Sequence, residues 1–164
     1  MRIRIISGGQ TGVDRAIIDA AIKAGIEYRG HIPRSGAEDM PAEDLMEKYP
    51  DLEATKTDNR DVRTVINIFD AEAVLTVFPG SVESSPGTTL GCELAQELNK
   101  PNYYAKTLQD SELKRIALWL QKNFNSNEDI IELAVGGPRE SEWDGAYEKS
   151  LEFFNKLFEL LENY

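Results

Sequence analysis

Short apolar runs recur along the chain and predict the strands of a buried sheet. Ile3, Ile5 and Ile6 form a run that is apolar on both faces, as in a strand covered by helices on either side of a sheet. The same reasoning predicts strands at residues 28–32, 73–78, 102–105 and 130–135. Each predicted strand precedes a loop, and a helical pattern follows most of them.

Between these runs, apolar residues recur at helical spacing. The clearest case begins at Val13 and ends at Ala24, and Gly25 occupies the position that commonly follows a helix. Further helices are predicted at residues 60–69, 89–99, 111–124 and 145–162. Strands that alternate with helices predict an α/β fold with a mainly parallel sheet flanked by helices.

Residues 33–58 fit neither pattern. The segment is acidic and contains prolines, so it is predicted to form a long loop, which would be either functional or a partly mobile flap.

Ligands bind to open parallel sheets beyond the carboxyl ends of the strands, where the following loops converge. The first such loop reads Ser-Gly-Gly-Gln-Thr-Gly over residues 7–12. Its three glycines would let backbone N–H groups at the helix start approach an anion. Thr11 and Asp14 have the spacing of a capping box, which would fix the helix start at this turn. The alternative is a tight turn that binds no ligand.

A second loop, at residues 79–89, also leads directly into a predicted helix. Its hydroxyl groups could hold a phosphate or diphosphate through uncharged donors, or they could cap the helix. These hydroxyls belong to Ser84, Ser85, Thr88 and Thr89.

A third loop follows the last predicted strand at residues 136–140. Arg139 could bind a phosphate through two hydrogen bonds, or it could pair with Glu140 or Glu142. Trp143 and Tyr147 come next and could stack on a ring, although core packing is the simpler interpretation.

Composition limits the partners. The chain has 164 residues and a formal net charge of −11, so neither nucleic acid nor an anionic membrane is an expected partner, and a phosphate would need local donors. Cys92 is the single cysteine, which excludes an internal disulfide and a multi-cysteine zinc site, and no metal site is predicted.

The length predicts one domain. The sequence shows no secretory or membrane-spanning segment, which predicts a cytoplasmic protein.

Five segments together resemble a known family. They are GGQTGVDRAIIDAAIKAGI, IPRSGAEDMP, VRTVINIFDAEAVLTV, SSPGTT and GGPRESEWDGAYE, and they cover nearly the whole chain in order. The resemblance is to the molybdenum cofactor carrier family of the SLOG superfamily, which also holds the lysine-decarboxylase-like LOG enzymes. It implies a Rossmann-like three-layer sandwich, a nucleotide-type or pterin-phosphate ligand at the strand ends, and a homodimer or higher homo-oligomer.

One departure from the LOG enzymes concerns catalysis. LOG phosphoribohydrolases carry the signature P-G-G-x-G-T-x-x-E, whose Glu belongs to the catalytic apparatus. Alignment on Gly87 and Thr88 puts Gly91 at that position and Glu93 two residues later. Two residues turn a side chain by about 200° on a helix, so Glu93 is expected to face away from the loop. Glu93 and Asp14 are the first candidates for an acid or base if the protein is an enzyme.

Other residues are weaker candidates. His31 could titrate near neutral pH or contact a ligand, and Glu38 or Asp39 could act as an acid or base. Arg63 lies in a family-like segment and could contact the ligand, whereas Cys92 is expected to be a buried helix residue. Arg60 is a further basic residue near the same region.

The sequence therefore predicts a cytoplasmic binding protein for a phosphorylated ring ligand, with molybdenum cofactor (molybdopterin) as one candidate. A nucleotide-processing enzyme of the LOG type and a sensor of a nucleotide-derived ligand are the alternatives. No nucleophile is visibly paired with a base, which favours binding. The residues predicted to bind the ligand are Gly8, Gly9, Gln10, Thr11, Gly12, Arg15, Arg34, Ser85, Gly87, Thr88, Thr89, Gly137 and Arg139.

Overall fold

The computed structural model describes residues 1–80, 84–124 and 130–163, which form one parallel sheet with helices on both faces. The strand order is β3-β2-β1-β6-β4-β5, and every neighbouring pair is parallel. The predicted α/β Rossmann-like fold is therefore confirmed. The strands are β1 (Arg2–Ile6), β2 (Tyr28–Ile32), β3 (Leu52–Ala54), β4 (Ala73–Val77), β5 (Asn102–Ala105) and β6 (Ile130–Gly136).

Six helices connect or follow these strands within the described residues. In that part of the chain, no helix has the length and apolar character needed to cross a membrane. The helices are α1 (Val13–Ala24), α2 (Ala42–Lys48), α3 (Arg60–Asp70), α4 (Pro86–Glu97), α5 (Asp110–Asn123) and α6 (Ala146–Leu161).

The ends of α1 show one correct and one wrong prediction. Gly25 follows the helix in the left-handed conformation (φ 69°), as predicted. The predicted capping box is wrong, because Gly12 is the N-cap and no side chain caps the helix. The Thr11 hydroxyl donates instead to Glu38. Helix α4 begins three residues before its predicted start, because Pro86 takes the first helical turn, where its missing N–H has no intrahelical partner to lose.

The prediction of a long loop at residues 33–58 is wrong, since the segment contains α2 and β3. Leu45 of α2 and Leu52 of β3 are buried against Ile32 of β2. Tyr49 is buried in the same cluster, and its hydroxyl donates to Asp19 of α1 at 2.8 Å. These contacts fix most of the segment against the sheet and α1.

The two faces of the sheet carry side chains of different size. Ile5, Leu75 and Leu133 point to one face and pack with α1, α5 and α6 in a large core. Side chains on a strand alternate between faces, so the next residue along each strand points the other way. On that opposite face the residues are smaller, and the buried cluster beneath α3 and α4 has fewer members: Ile6, Ile68, Ala71, Val74, Ala95 and Ala134.

Candidate functional site

A cavity of about 290 Å³ lies between the small-residue face of the sheet and helices α3 and α4. Its floor includes Ile6, Ala134 and Val74. Ala134 pairs in register with both of the others, so the three side chains form an apolar row across β1, β6 and β4. The cavity extends to the carboxyl ends of these strands, where the sequence predicts a ligand site.

Three arginines line this cavity in a chain of net charge −11. Arg63 of α3 donates to the Gly8 carbonyl at 2.6 Å. Burial lowers the pKa of Arg63, the charge of Asp14 raises it, and the charges of Arg60 and Arg139 lower it. Among the described residues, no carboxylate forms an ion pair with Arg60. The lining also holds the carboxylates of Asp14, Asp61 and Glu142, so the cavity brings both signs of charge together, with Arg139 paired to Glu142.

Asp14, in the first turn of α1, places a carboxylate in the same cavity. Burial raises its pKa to about 6, although Arg63, Arg15 and the backbone N–H groups of Gln10 and Gly137 favour the charged form. Within the described residues, Asp14 makes no salt bridge within 4.0 Å. Gln10 of the first loop and Gly137 of the loop after β6 therefore each direct a backbone N–H group at the protein's own carboxylate.

Gln10 lies beside Asp14 in the cavity lining and is only 3% exposed. Its Oε1 accepts hydrogen bonds from the N–H groups of Thr11, at 3.0 Å, and Glu38, at 2.8 Å. These two donors fix which end of the amide is oxygen. The buried Nε2 has no hydrogen-bond partner among the residues that the structure describes. A buried donor without a partner is costly, so it indicates a place where an acceptor belongs.

The N-terminus of α4 forms another wall. Ser85 precedes the helix, and its hydroxyl lies 2.7 Å from that of Thr88 and donates to Glu142 at 3.1 Å. Glu142 also pairs with Arg139, whose Nε lies 3.2 Å from its carboxylate. The hydroxyls that the sequence assigned to a phosphate thus have protein partners, while Gly87 lines the cavity with no side chain in the way.

Glu38, which follows β2, connects the first loop with the segment after β6. It accepts hydrogen bonds from the hydroxyls of Thr11 and Ser141, the latter at 2.7 Å, and lies 3.4 Å from Nη1 of Arg139. Burial raises the pKa of Glu38, but these hydrogen bonds and the Arg139 charge outweigh burial, so its pKa lies below the ordinary value. Glu38 is therefore negatively charged and holds these segments together.

The other predicted site residues divide into two groups. Seven of them line the cavity: Gly8, Gln10, Ser85, Gly87, Thr88, Gly137 and Arg139. The candidate acid Asp14 and the weaker candidates Arg60 and Arg63 also line it. Six predicted ligand-binding residues lie outside its lining: Gly9, Thr11, Gly12, Arg15, Arg34 and Thr89.

Contacts explain the positions of the residues outside the lining. Arg15 is buried and donates to the Gly9 carbonyl and to both carboxylate oxygens of Asp39. Arg34 is exposed and pairs with Asp58 at 2.7 Å. Both arginines thus have local carboxylate partners.

The glycines of the first loop differ in their surroundings. A Cβ on Gly9 (φ 65°) would meet the buried Leu52 side chain at 2.9 Å. A Cβ on Gly12 (φ 76°) would lie 2.4 Å from the Pro138 carbonyl oxygen, so glycine is needed there for close packing of two loops. A Cβ on Gly8 would reach Arg63 and Asp14 inside the site.

The remaining candidates lie elsewhere. Glu93 is exposed on α4 and is not part of the lining. Trp143 packs near Phe78, with ring centroids 6.2 Å apart, and the Tyr147 hydroxyl donates to Asp19 at 2.6 Å. Cys92 is half-buried beside Thr76.

Sequence reasoning missed four polar residues of the lining: Asp61, Thr64, Asn67 and Thr76. The Asn67 amide exchanges two hydrogen bonds with the backbone of His31, at 2.7 and 3.0 Å, which fixes α3 against β2. Asn67 interrupts the apolar pattern of α3, and Thr76 interrupts that of β4. A polar residue within an apolar run was the available signal for both.

Comparison with known proteins is consistent with this geometry. Residues 5–158 match the model of the circularly permutated YpsA SLOG family. The chain is similar to a crystal structure titled "Putative molybdenum carrier protein", from Syntrophus aciditrophicus SB, with 28% identity and a TM-score of 0.82. The similarity covers 96% of this chain and 94% of that chain. No curated protein matches the sequence.

Proposed function

Since the chain belongs to the circularly permutated YpsA SLOG family, we propose that it binds a phosphorylated ring ligand without chemically altering it. The observation that supports this proposal most directly is that Arg60, Arg63 and Arg139 line one cavity of an acidic chain. Arginine is well suited to phosphate because its planar guanidinium can donate two parallel hydrogen bonds.

Helix α4 supports the same proposal. Its first turn borders the cavity, and the free N–H groups and dipole of a helix start favour an anion. Gly87 leaves that turn open, since no described atom outside the turn itself lies within 4 Å of the place where a Cβ would be. We place the phosphate between this turn and the arginines.

The ring would lie on the apolar row formed by Ile6, Ala134 and Val74. A cavity of about 290 Å³ is near the lower end of the range for small-molecule sites, which suits a ligand of nucleotide or pterin size. The exposed position of Glu93 favours binding over ribohydrolase chemistry.

Molybdenum cofactor is one ligand of this class, and the similar crystal structure carries the name of a molybdenum carrier. Among the described residues, no group of three or more His, Cys, Asp or Glu side chains could hold a metal ion. The metal would therefore be carried as cargo on its own pterin dithiolene, while the protein holds the phosphate and the ring.

The proposal includes a homodimer in the cytoplasm, the compartment suggested by a single unpaired cysteine. Val62, Val65, Ile66 and Phe69 form an apolar stripe at helical spacing on α3. Val65 is 42% exposed and Phe69 is 69% exposed. An apolar stripe on the outside of a helix is a surface that a second copy could cover.

Thermal unfolding in the presence of ligands tests the binding proposal. GMP and neopterin monophosphate should raise the melting temperature much more than guanosine and neopterin do, because only the phosphate reaches the arginines. Arg139→Ala should weaken binding of the phosphorylated compounds about tenfold, since it removes a charge-assisted hydrogen bond. Arg34→Ala is the matched control and should leave affinity unchanged, because Arg34 pairs with Asp58 outside the cavity. Equal shifts with and without phosphate would refute the proposal.

A further inference from the structure

The cavity contains a second polar cluster that a phosphate does not explain. Asp14 and Gln10 lie side by side in the lining, one with a buried carboxylate and the other with a buried amide donor that has no partner. A phosphate next to Asp14 would bring two negative charges together, since Asp14 has no ion-pair partner among the described residues, whereas the Glu142 carboxylate beside α4 is paired with Arg139. This cluster therefore calls for a part of the ligand that donates hydrogen bonds as well as accepting them.

The available atoms define that part of the ligand. The Asp14 carboxylate has about four acceptor positions, and two backbone N–H groups approach it. It can therefore accept further hydrogen bonds from a ligand. The Gln10 Oε1 is already engaged by two backbone N–H groups, so the amide offers only its Nε2 donor.

We infer that Asp14 and Gln10 recognise the 2-amino-4-oxo-pyrimidine edge that pterins and guanine share. The Asp14 carboxylate accepts from the ring N–H and the exocyclic amine, and Gln10 Nε2 donates to the ring carbonyl. This inference rests on the proposed function and adds to it which edge of the ring the protein recognises through hydrogen bonds.

The floor of the cavity favours a flat ring over a sugar at this position. Ile6, Ala134 and Val74 present apolar side chains in register on three adjacent strands, which lie about 4.8 Å apart. Ile68 of α3 also lines the cavity and is buried in the same cluster. A planar heterocycle can bury its face on this row, whereas a sugar hydroxyl there would lose its water without a partner.

Arg63 connects this cluster with the arginine cluster. It donates to Gly8, whose missing Cβ would lie 3.0 Å from the Asp14 carboxylate, and it also responds to the charges of Arg60 and Arg139. A ligand with a ring edge and a phosphate would therefore contact donors and acceptors on both sides of Arg63.

Binding of nucleotides that share one phosphate but differ in the ring edge tests the inference. By isothermal titration calorimetry, GMP should bind at least tenfold more tightly than IMP, which lacks the amine, and than AMP, which reverses the edge. Neopterin monophosphate carries the same edge on a pterin, so comparing it with GMP separates the two sources of this chemistry.

An exchange of specificity provides the sharper measurement. In Asp14→Asn the side chain gains a donor, which would face the amine of GMP, so affinity for GMP should fall about tenfold or more. XMP has a carbonyl at the amine position that can accept from this donor, so affinity for XMP should rise. Gln10→Glu retains the oxygen that binds two N–H groups but replaces the free donor with an acceptor. It should also weaken GMP binding about tenfold or more.

The outcomes separate the inference from the proposed function. If all four nucleotides bind equally well to the wild type, the recognition of the edge is refuted and phosphate binding stands. If neither the nucleotides nor neopterin monophosphate bind, both fail. If GMP is preferred but neither variant changes that preference, other residues read the ring and the inference is overturned.

Discussion

Asp14→Asn should stabilise the ligand-free protein at pH 8. The pKa of Asp14 is raised by burial from its ordinary value of 3.8 to about 6, so between these pH values the folded state holds a proton that the unfolded state has released, and at pH 8 the folded state carries a buried charge. When the pKa of a carboxyl group is higher in the folded state than in the unfolded state, the free energy of unfolding falls as the pH rises. The penalty is nearly absent below pH 3.8 and fully present above about pH 6. The asparagine side chain of the variant carries no charge and would avoid this penalty.

The size of the effect follows from the two pKa values. A difference of one between the folded-state and unfolded-state pKa corresponds to about 1.4 kcal/mol, so the penalty at pH 8 is about 3 kcal/mol. At pH 5 the folded carboxyl is mostly protonated and the penalty is only about 1.5 kcal/mol. Both an amide and a protonated carboxyl group have a donor where the carboxylate has an acceptor. The change in the effect of Asp14→Asn on stability between pH 5 and pH 8 therefore reports the cost of the charge alone.

Urea unfolding of wild type and variant at pH 5 and pH 8 measures this difference. Other groups contribute to the pH dependence of both proteins, including Glu38 and Asp39, whose pKa values are lowered, but they cancel in the comparison. Glu97→Gln, an exposed acid-to-amide change on α4, is the matched control and should change stability by less than about 0.5 kcal/mol at either pH. If Asp14→Asn is destabilising at pH 8, or has the same effect at both pH values, the reasoning fails.

Two further predictions concern packing and assembly. Gly12→Ala should destabilise the protein by about 1–3 kcal/mol, because Gly12 has a φ of 76° and its Cβ would lie 2.4 Å from the Pro138 carbonyl oxygen. Gly87→Ala, whose Cβ meets no described atom within 4 Å outside its own helical turn, should be neutral or stabilising by up to about 1 kcal/mol in urea unfolding. Sedimentation equilibrium should show a wild-type dimer that Phe69→Ser converts to monomer, while Leu118→Ser, at a 57% exposed position on α5, leaves it intact; a monomeric wild type would contradict the dimer.

Periodicity was sufficient to predict most of the fold. The helices α1, α3, α5 and α6 are long enough for their apolar spacing to be recognised, and their bounds differ from the prediction by a residue or so. Helix α2 and strand β3 were missed because they have only seven and three residues. Ala42, Leu45 and Tyr49 do follow helical spacing, but a seven-residue helix after a proline is too short for the pattern to stand out.

The site was less predictable because partners decide what a polar side chain does. Arg15 and Arg34 looked as suitable for a ligand as Arg139, and only the fold shows that they pair with Asp39 and Asp58 away from the cavity, whereas Arg139 lines it. Asp14 looked like a helix cap at the level of sequence spacing. The pKa of Asp14 depends in part on the charge of Arg63, which is distant in sequence and reaches the same loop through its contact with Gly8.

The smaller cluster beneath α3 and α4 has a consequence for motion. Local opening needs least free energy where few apolar side chains are buried, and this face buries fewer and smaller ones than the face covered by α1, α5 and α6. The amides of α3 and α4 should therefore exchange with solvent through partial openings that leave the opposite layer intact. Because the cavity is lined by both helices, a bound ligand would close the part of the molecule that opens most readily.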